Sequence, residues 1–174
     1  LVVEPRLFAA MIADVVDRPG ALPLLQYALT ELAKRAEDDG VLALETYRHI
    51  GGVSGALARR AEQMYEAMNE AMNETAGNAC RQLFLRLVTL GEGGEDTRRR
   101  VRRSELVPLA DATSMDSVIE AFGRHRLLSF DRDPATREPT IEIAHESLLN
   151  AWARLRGWID EARHDIRTER QLSN

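Results

Sequence analysis

Two stretches decide the expected fold of this 174-residue chain: Leu127-Leu128-Ser129-Phe130 and Thr140-Ile141-Glu142-Ile143. They flank a polar segment from Asp131 to Pro139, and two apolar runs around a turn-forming segment are typical of a β-hairpin. Most other segments show the three- and four-residue spacing of apolar residues that a helix requires. The sequence therefore predicts a mainly α fold that carries one small β wing.

The segments before the hairpin place it in a recognisable order. From Cys80 onward, the spacing predicts a helix and then a short extended segment at Thr97 to Val101. Two helices are expected next, one that begins at Ser104 and one that Thr113 or Ser114 caps. Helix, short strand, two helices and a hairpin is the order of a winged helix, a helix-turn-helix variant with a β wing.

A long C-terminal helix is expected after the hairpin. Its apolar residues alternate steps of four and three and so form one continuous seam: Leu148, Trp152, Leu155, Ile159, Ala162 and Ile166. Such a seam usually packs on its own domain. Only the turns beyond Ala162 are expected to be free for a neighbouring domain.

The first part of the chain predicts a separate helical subdomain. Four helices are expected there: from Pro5, over Leu24 to Leu32, over Leu44 to Ile50, and along a stripe from Val53 to Met68. Gly77 is expected to break the last of them. The predicted division is therefore residues 1–76 for the helical subdomain and residues 77–174 for the winged-helix domain with its C-terminal helix.

Composition and charge exclude several classes of protein. A net charge of -5 argues against a general nucleic-acid binder. The single cysteine, Cys80, excludes an internal disulfide and a multi-thiolate metal site, and its helical position is typical of a buried apolar residue. No apolar run approaches the roughly 18 residues that span a bilayer, and no secretory signal opens the chain. A cytoplasmic protein without membrane contact is expected.

Five arginines lie within Arg98-Arg99-Arg100-Val101-Arg102-Arg103, and two interpretations of them stay open. In a winged helix, guanidinium groups that neutralise phosphate would give a DNA-binding function. However, the run precedes the expected recognition helix, Ser114 to Phe122, and that helix carries Asp116 and Glu120. The favoured interpretation is that the arginines are solvated or pair with a domain.

His145 has a distinctive position, because it stands where a predicted strand ends and a helix begins. Helix N-termini favour anions, so a histidine there can donate to a phosphate, although it can also simply cap the helix. His145-Glu146 lacks the second histidine of a zinc-hydrolase motif, so no metal site is expected. The sequence also lacks a phosphate loop, a nucleophile elbow and a dinucleotide fingerprint, and no catalytic residue is predicted.

An ordered set of five blocks carries a family resemblance: Gly20 to Leu29, Ile50 to Ala58, Gln82 to Val88, Glu95 to Arg99 and Ala144 to Leu149. Together they resemble the novel STAND NTPases, bacterial signal-transduction ATPases that are frequently fused to WD-repeat propellers. The resemblance implies the C-terminal portion of a nucleotide module, with a helical lid subdomain followed by a winged-helix domain. It places a P-loop NTPase core upstream of Leu1 and any WD-repeat domain downstream of Asn174.

The same resemblance implies three residues that meet a nucleotide. Gly20 and Pro23 look like the Gly-x-Pro element that touches the base of ADP, although two residues separate them here. Ala144-His145-Glu146 is similar to the Met-His-Asp motif, whose histidine contacts the β-phosphate, and only His145 matches it. ADP or ATP is expected to bind only together with the upstream core, and the fragment itself is expected to have no enzymatic activity.

The expected function is therefore that of the regulatory part of a nucleotide-dependent switch in signal transduction, which closes on ADP or ATP. Two alternatives remain. One is a DNA-binding winged-helix regulator. The other is a helical protein-interaction scaffold in which His145 only caps a helix.

Overall fold

The fold of this chain is mainly helical. A computed structural model describes residues 1–16, 21–36, 40–72 and 74–172. The chain divides into two compact units, Leu1–Arg60 and Ala61–Asn174. The helix that crosses this division is Gly52–Met72. The boundary at residues 76/77, which separates a lid from a winged helix, stays a prediction about the roles of these segments.

The first unit consists of short helices and one small pair of strands. Its elements are β1 (Val2–Val3), α1 (Pro5–Val15), α2 (Leu22–Arg35), β2 (Val41–Leu42), α3 (Leu44–His49) and the start of α4 (Gly52–Met72). The four helices that apolar spacing predicts are confirmed. The parallel pairing of β1 with β2 was not expected, because two residues per strand leave no readable alternation.

Aliphatic side chains form the core of the first unit. Leu7, Leu32 and Ile50 are almost completely buried. A polar contact also links α1 to α3, because the Tyr47 hydroxyl donates to Asp14 Oδ2 at 2.6 Å. Apolar burial at roughly 25 cal/mol per Å² is thus the main stabilising term in this unit.

The second unit combines helices with short strands. After α4 come α5 (Glu74–Arg86), β3 (Val88–Thr89), β4 (Thr97–Arg98), β5 (Val101–Arg102), a 3-10 helix (Arg103–Leu109), α6 (Ala112–Arg124), β6 (Leu128–Arg132), β7 (Pro139–Ile143), α7 (Leu148–Ala151) and α8 (Ala153–Leu172). The predicted hairpin is confirmed as β6 and β7, which pair antiparallel with Phe130 opposite Ile141. β5 adds to β7 and gives a three-stranded sheet of order β5-β7-β6.

Aromatic rings form the centre of the second unit. The Phe84 ring meets Phe122 at 5.0 Å and Trp152 at 5.1 Å between centroids, both edge to face. Trp158 meets Trp152 at 5.6 Å in the same geometry. These contacts join α5, α6 and α8 around the indole of Trp152, which is 2% exposed.

Two predicted features of the second unit are wrong in position. Gly77 does not break a helix but lies within α5, where its missing side chain leaves room for Tyr65 and Asn69 of α4. The cap of α6 is Asp111 rather than Thr113 or Ser114, because the Asp111 carboxylate accepts from the Ser114 N–H at 2.9 Å. A carboxylate at this position satisfies a free helical N–H as well as a hydroxyl does.

The predicted continuous C-terminal helix is also wrong. It is broken at Trp152, whose backbone is extended with φ -86° and ψ 103°, so that α7 ends at Ala151 and α8 begins at Ala153. The break accompanies the insertion of the indole into the core, where its Nε1–H donates to Glu62 Oε2 at 2.7 Å. Helical periodicity cannot report this, since the apolar seam looks the same on both sides of the break.

No helix within the described residues is both long enough and apolar enough to cross a lipid bilayer.

Candidate functional site

The turn between β7 and α7 carries His145. β7 ends at Ile143. The Ala144 N–H then donates to the Leu127 carbonyl at 3.0 Å, which links the start of the turn to the residue just before β6. On the other side, the Leu148 N–H donates to the His145 carbonyl at 3.1 Å. Both ends of the turn are therefore attached to regular structure.

The imidazole of His145 is half-buried. Burial lowers the pKa of His145, and the nearby positive charge of Arg98 lowers it further, while a hydrogen bond to the Arg126 backbone opposes both. That bond favours the protonated ring, as a ring N–H that donates to a backbone carbonyl does. The lowered pKa therefore favours the neutral ring at pH 7, in which one nitrogen carries a hydrogen and the other is an acceptor.

Arg98 braces the same turn from β4. Its Nε donates to Glu146 Oε2 at 2.6 Å, and one terminal nitrogen donates to the carbonyls of Ile143 at 3.0 Å and Ala144 at 3.3 Å. The backbone N–H of Arg98 also donates to Glu146 Oε1 at 3.3 Å. One side chain thus contacts the residues immediately before and after His145.

The helix that follows His145 is shorter than expected. α7 contains only Leu148 to Ala151, and Ser147 stands before it without a side-chain cap. The dipole of so short a helix is small, because it grows with the number of aligned peptide units. The dipole of a long helix therefore does not contribute to the attraction of an anion to this turn.

Each of the five clustered arginines pairs with a carboxylate of the second unit. The pairs are Arg98 with Glu146 and Glu142, Arg99 with Glu105, Arg100 with Asp131 and Glu142, Arg102 with Glu105 and Glu138, and Arg103 with Asp116. A carboxylate beside each guanidinium cancels the local field that attracts phosphate. The pairing therefore favours the interpretation that these arginines serve the domain itself, and it disfavours DNA binding.

Pro23 belongs to the first unit, whereas His145 belongs to the second. Pro23 is the second residue of α2, a position where its missing N–H costs no helical hydrogen bond. It is partly buried, and its neighbour Leu22 is exposed. Gly20 lies outside the described residues.

Cys80 lies in the core of the second unit. It is 1% exposed, and burial raises the pKa of its thiol far above the usual range. The thiolate is the reactive form, so this cysteine is unsuited to nucleophilic chemistry. Among the described residues, no group of three or more His, Cys, Asp or Glu side chains is arranged to hold a metal ion.

Asp96 is a buried polar centre that the sequence did not reveal. Its carboxylate accepts from Arg156 at 2.7 Å, from Arg163 at 2.5 Å and from the Gly91 N–H at 3.0 Å. Burial would raise the pKa of Asp96, but these hydrogen bonds outweigh it and hold the pKa below its usual value. The arginines lie 60 and 67 residues further along the chain, so no local pattern could have indicated them.

Comparison with known families identifies the class of protein. The chain matches the family model of Novel STAND NTPase 1 over residues 1–174. The chain belongs to this family, as the five sequence blocks predicted. No curated protein and no solved structure matches it.

Proposed function

We propose that this chain is the regulatory part of a STAND-type nucleotide switch, which closes on ADP or ATP held by the P-loop NTPase core of a longer protein. Residues 1–76 supply the lid, and residues 77–174 supply a winged-helix domain with its C-terminal helix. The observation that carries this proposal is a braced, half-buried His145 in a chain that matches the family throughout. Hydrolysis belongs to the core, and this part senses which nucleotide is bound.

The order of elements in the second unit supports the winged-helix assignment. A helix, a 3-10 helix and α6 precede the β6–β7 hairpin, and β5 joins that hairpin as a third strand. His145 follows the hairpin directly. By family resemblance, the longer protein is a bacterial, cytoplasmic signal-transduction protein of a class that is frequently fused to a WD-repeat domain.

The residues of this chain fit one contact to a nucleotide rather than a whole nucleotide pocket. His145 offers one ring nitrogen to a phosphate oxygen, and Arg98, the cation that contacts the same turn, is already bound to Glu146. Pro23 offers an apolar surface of the kind that packs against a base. Such a set suits a sensor, which adds a modest free energy to a nucleotide that other residues hold.

The charge state of His145 gives this sensor a pH dependence. Its lowered pKa makes the ring neutral, whereas a second donated hydrogen bond to phosphate requires a protonated ring. A phosphate nearby raises the pKa of the imidazole, so binding of ADP takes up a proton. The extra affinity is therefore fully present below the pKa of the free form and is lost as pH rises through the pKa of the bound form.

The test is the rate at which ADP leaves the longer protein. His145→Ala should release ADP about ten- to a hundredfold faster, which is the loss of one charge-assisted hydrogen bond. The variant should also lose the slower release that the native protein shows as pH falls from roughly 8 to 6. His164→Ala is the matched control, because His164 is exposed on α8.

An unchanged release rate in His145→Ala would exclude the sensor role. A mobility shift of this chain on random duplex DNA at low salt would favour the DNA-binding alternative instead.

A further inference from the structure

Arg98 reaches the turn that carries His145 from a separate sheet. β4 pairs with β3, whereas the turn follows β7 of the three-stranded sheet. The guanidinium therefore links β4 of the two-stranded sheet to the end of β7 in the three-stranded sheet, across 45 to 48 residues of sequence. The Arg98 side chain is 32% exposed, so most of its surface is withdrawn from water.

We propose that Arg98 is a positioning residue for His145: its guanidinium fixes the backbone on both sides of the histidine and thereby sets the direction of the ring. This role deepens the proposed function, because it explains how a single imidazole can be held ready for a phosphate. The immediate effect, an ordered ring, belongs to this chain alone and can be measured without a nucleotide.

The geometry of the contacts supports positioning. The Arg98 side chain donates to three acceptors that flank His145 along the chain. The carbonyls of Ile143 and Ala144 come before the histidine, and the Glu146 carboxylate comes after it. The rigid guanidinium donates in several fixed directions and so holds three acceptors in place, which a lysine ammonium on a flexible stem does poorly. Loss of the guanidinium leaves two carbonyls and a carboxylate without this partner.

The charges argue that Arg98 positions the histidine rather than binding phosphate itself. Its guanidinium is paired with Glu146, and Glu142 lies 3.9 Å away on β7. Two carboxylates next to one guanidinium leave no net positive charge for an anion. His145, on the turn between these partners, is left as the group that meets a ligand.

The first experiment follows the imidazole nitrogens of His145 by ¹⁵N NMR in this chain. The native protein should show one dominant tautomer, because one ring N–H is bound to the Arg126 backbone. Arg98→Gln and Arg98→Lys should both give a mixture of the two tautomers. Both should also raise the pKa of His145, because the ring becomes more exposed to water; Arg98→Gln in addition removes the adjacent positive charge, and Arg98→Lys moves it. Arg103→Gln is the matched control, because Arg103 pairs with Asp116 instead.

A His145 spectrum in Arg98→Lys or Arg98→Gln identical to that of the native chain would overturn the proposal. Tryptophan fluorescence shows whether each variant folds, since both tryptophans lie in the second unit. If Arg98→Gln fails to fold, Arg98→Lys decides the question, because it keeps the charge and most of the aliphatic stem.

The second experiment uses the longer protein and compares Arg98→Gln with Glu146→Gln. If Arg98 positions His145, both variants should release ADP faster, by about tenfold. If Arg98 instead binds phosphate, Glu146→Gln frees the guanidinium and slows release, which would overturn the proposal. If His145→Ala leaves release unchanged while the NMR result holds, the sensor role fails and the positioning role stands.

Discussion

The two units use charged residues in different ways. In the first unit, Glu31 pairs with two residues of the next turn of its own helix, Lys34 and Arg35. In the second unit, Asp96 pairs with two arginines of α8, Arg156 and Arg163, which lie 60 and 67 residues further along the chain. The ion pairs of Glu31 therefore stay within one helix, whereas those of Asp96 fix a turn that is too short to have a core of its own.

The hydrophobic cores of the two units also differ in the type of side chain that fills them. Aliphatic side chains fill the first unit, whereas the second is built around Trp152 and the rings of Phe84 and Phe122. The indole also donates to Glu62, which in turn binds Arg154 at 3.0 Å. Apolar and ionic contacts thus share the same residues in the second unit, and removal of either kind of contact should lower the stability of the whole unit.

The largest effect is expected from the aromatic core. Phe84→Ala should lower the free energy of unfolding of the second unit by about 3–5 kcal/mol, because the cavity lies between rings that cannot collapse onto it. Urea unfolding followed by tryptophan fluorescence measures this unit specifically. Phe130→Ala is the control, since Phe130 is 54% exposed and should cost less than about 1.5 kcal/mol. Equal losses would show that the rings do not form a common centre.

The next largest effect is expected in the first unit, where Gly55 lies against the backbone of Ile50. A Cβ added at Gly55 would lie 2.1 Å from the Ile50 carbonyl oxygen, and a backbone atom cannot move aside cheaply. Gly55→Ala should therefore destabilise the first unit by about 3 kcal/mol, seen as faster amide hydrogen exchange at the start of α4.

Gly77→Ala is the matched substitution in the second unit. Its Cβ would meet the side-chain ends of Asn69 at 2.7 Å and Tyr65 at 3.0 Å, which can rotate away. The gain of about 1 kcal/mol in helix propensity should offset that movement and leave stability within about 1 kcal/mol of the native value. A loss as large as that of Gly55→Ala would mean that side-chain contacts are as rigid as the backbone here.

Asp96→Asn tests the buried ionic contact directly. The substitution leaves two guanidinium groups without their shared charge and should cost about 2–3 kcal/mol at pH 7. Because the pKa of Asp96 is lowered in the folded chain, its stabilisation is fully present above the ordinary value of 3.8 and is lost as pH falls through the lowered pKa. The variant should therefore lose less stability than the native chain between pH 4 and acid unfolding.

Glu31→Gln is the counterpart in the first unit. Burial would raise the pKa of Glu31, but Lys34 and Arg35 outweigh it and lower the pKa, so the pH dependence has the same sign as that of Asp96. The expected loss is nevertheless below about 1 kcal/mol, because both partners sit on the same helix and are partly exposed. Amide exchange in α2 measures it. A loss equal to that of Asp96→Asn would remove the distinction between local and long-range pairs.

The sequence predicted what local spacing encodes. The hairpin and the helical class were readable from the spacing of apolar residues within each segment, and the family was readable from five short blocks in a fixed order. The break at Trp152 was not, since the extended backbone there follows from the burial of one indole in a core that forms only in three dimensions. Asp111 was missed as a cap because Thr113 and Ser114, two good capping residues, follow it closely.

The candidate site shows the same limit. The position of His145 between a strand and a helix was predictable, and the structure places it on the turn between β7 and α7. The brace was not predictable, because Arg98 stands in a run of five arginines that sequence alone cannot tell apart. Only the pairing of β4 with β3 brings this arginine, and not its neighbours, to the carbonyls of Ile143 and Ala144.

The smallest effect on stability is expected from Arg103, and it tests whether Arg98 differs from the other arginines of the run. Arg103 also pairs with a carboxylate, Asp116, yet both side chains are largely exposed, at 41% and 63%. Water screens such a pair, and ordering two long side chains costs nearly what the attraction gains. Arg103→Ala should therefore change the free energy of unfolding by no more than about 0.5 kcal/mol in the urea experiment. A loss above 1 kcal/mol would mean that exposed arginines brace the second unit as the partners of Asp96 do, and that Arg98 has no special place among the five.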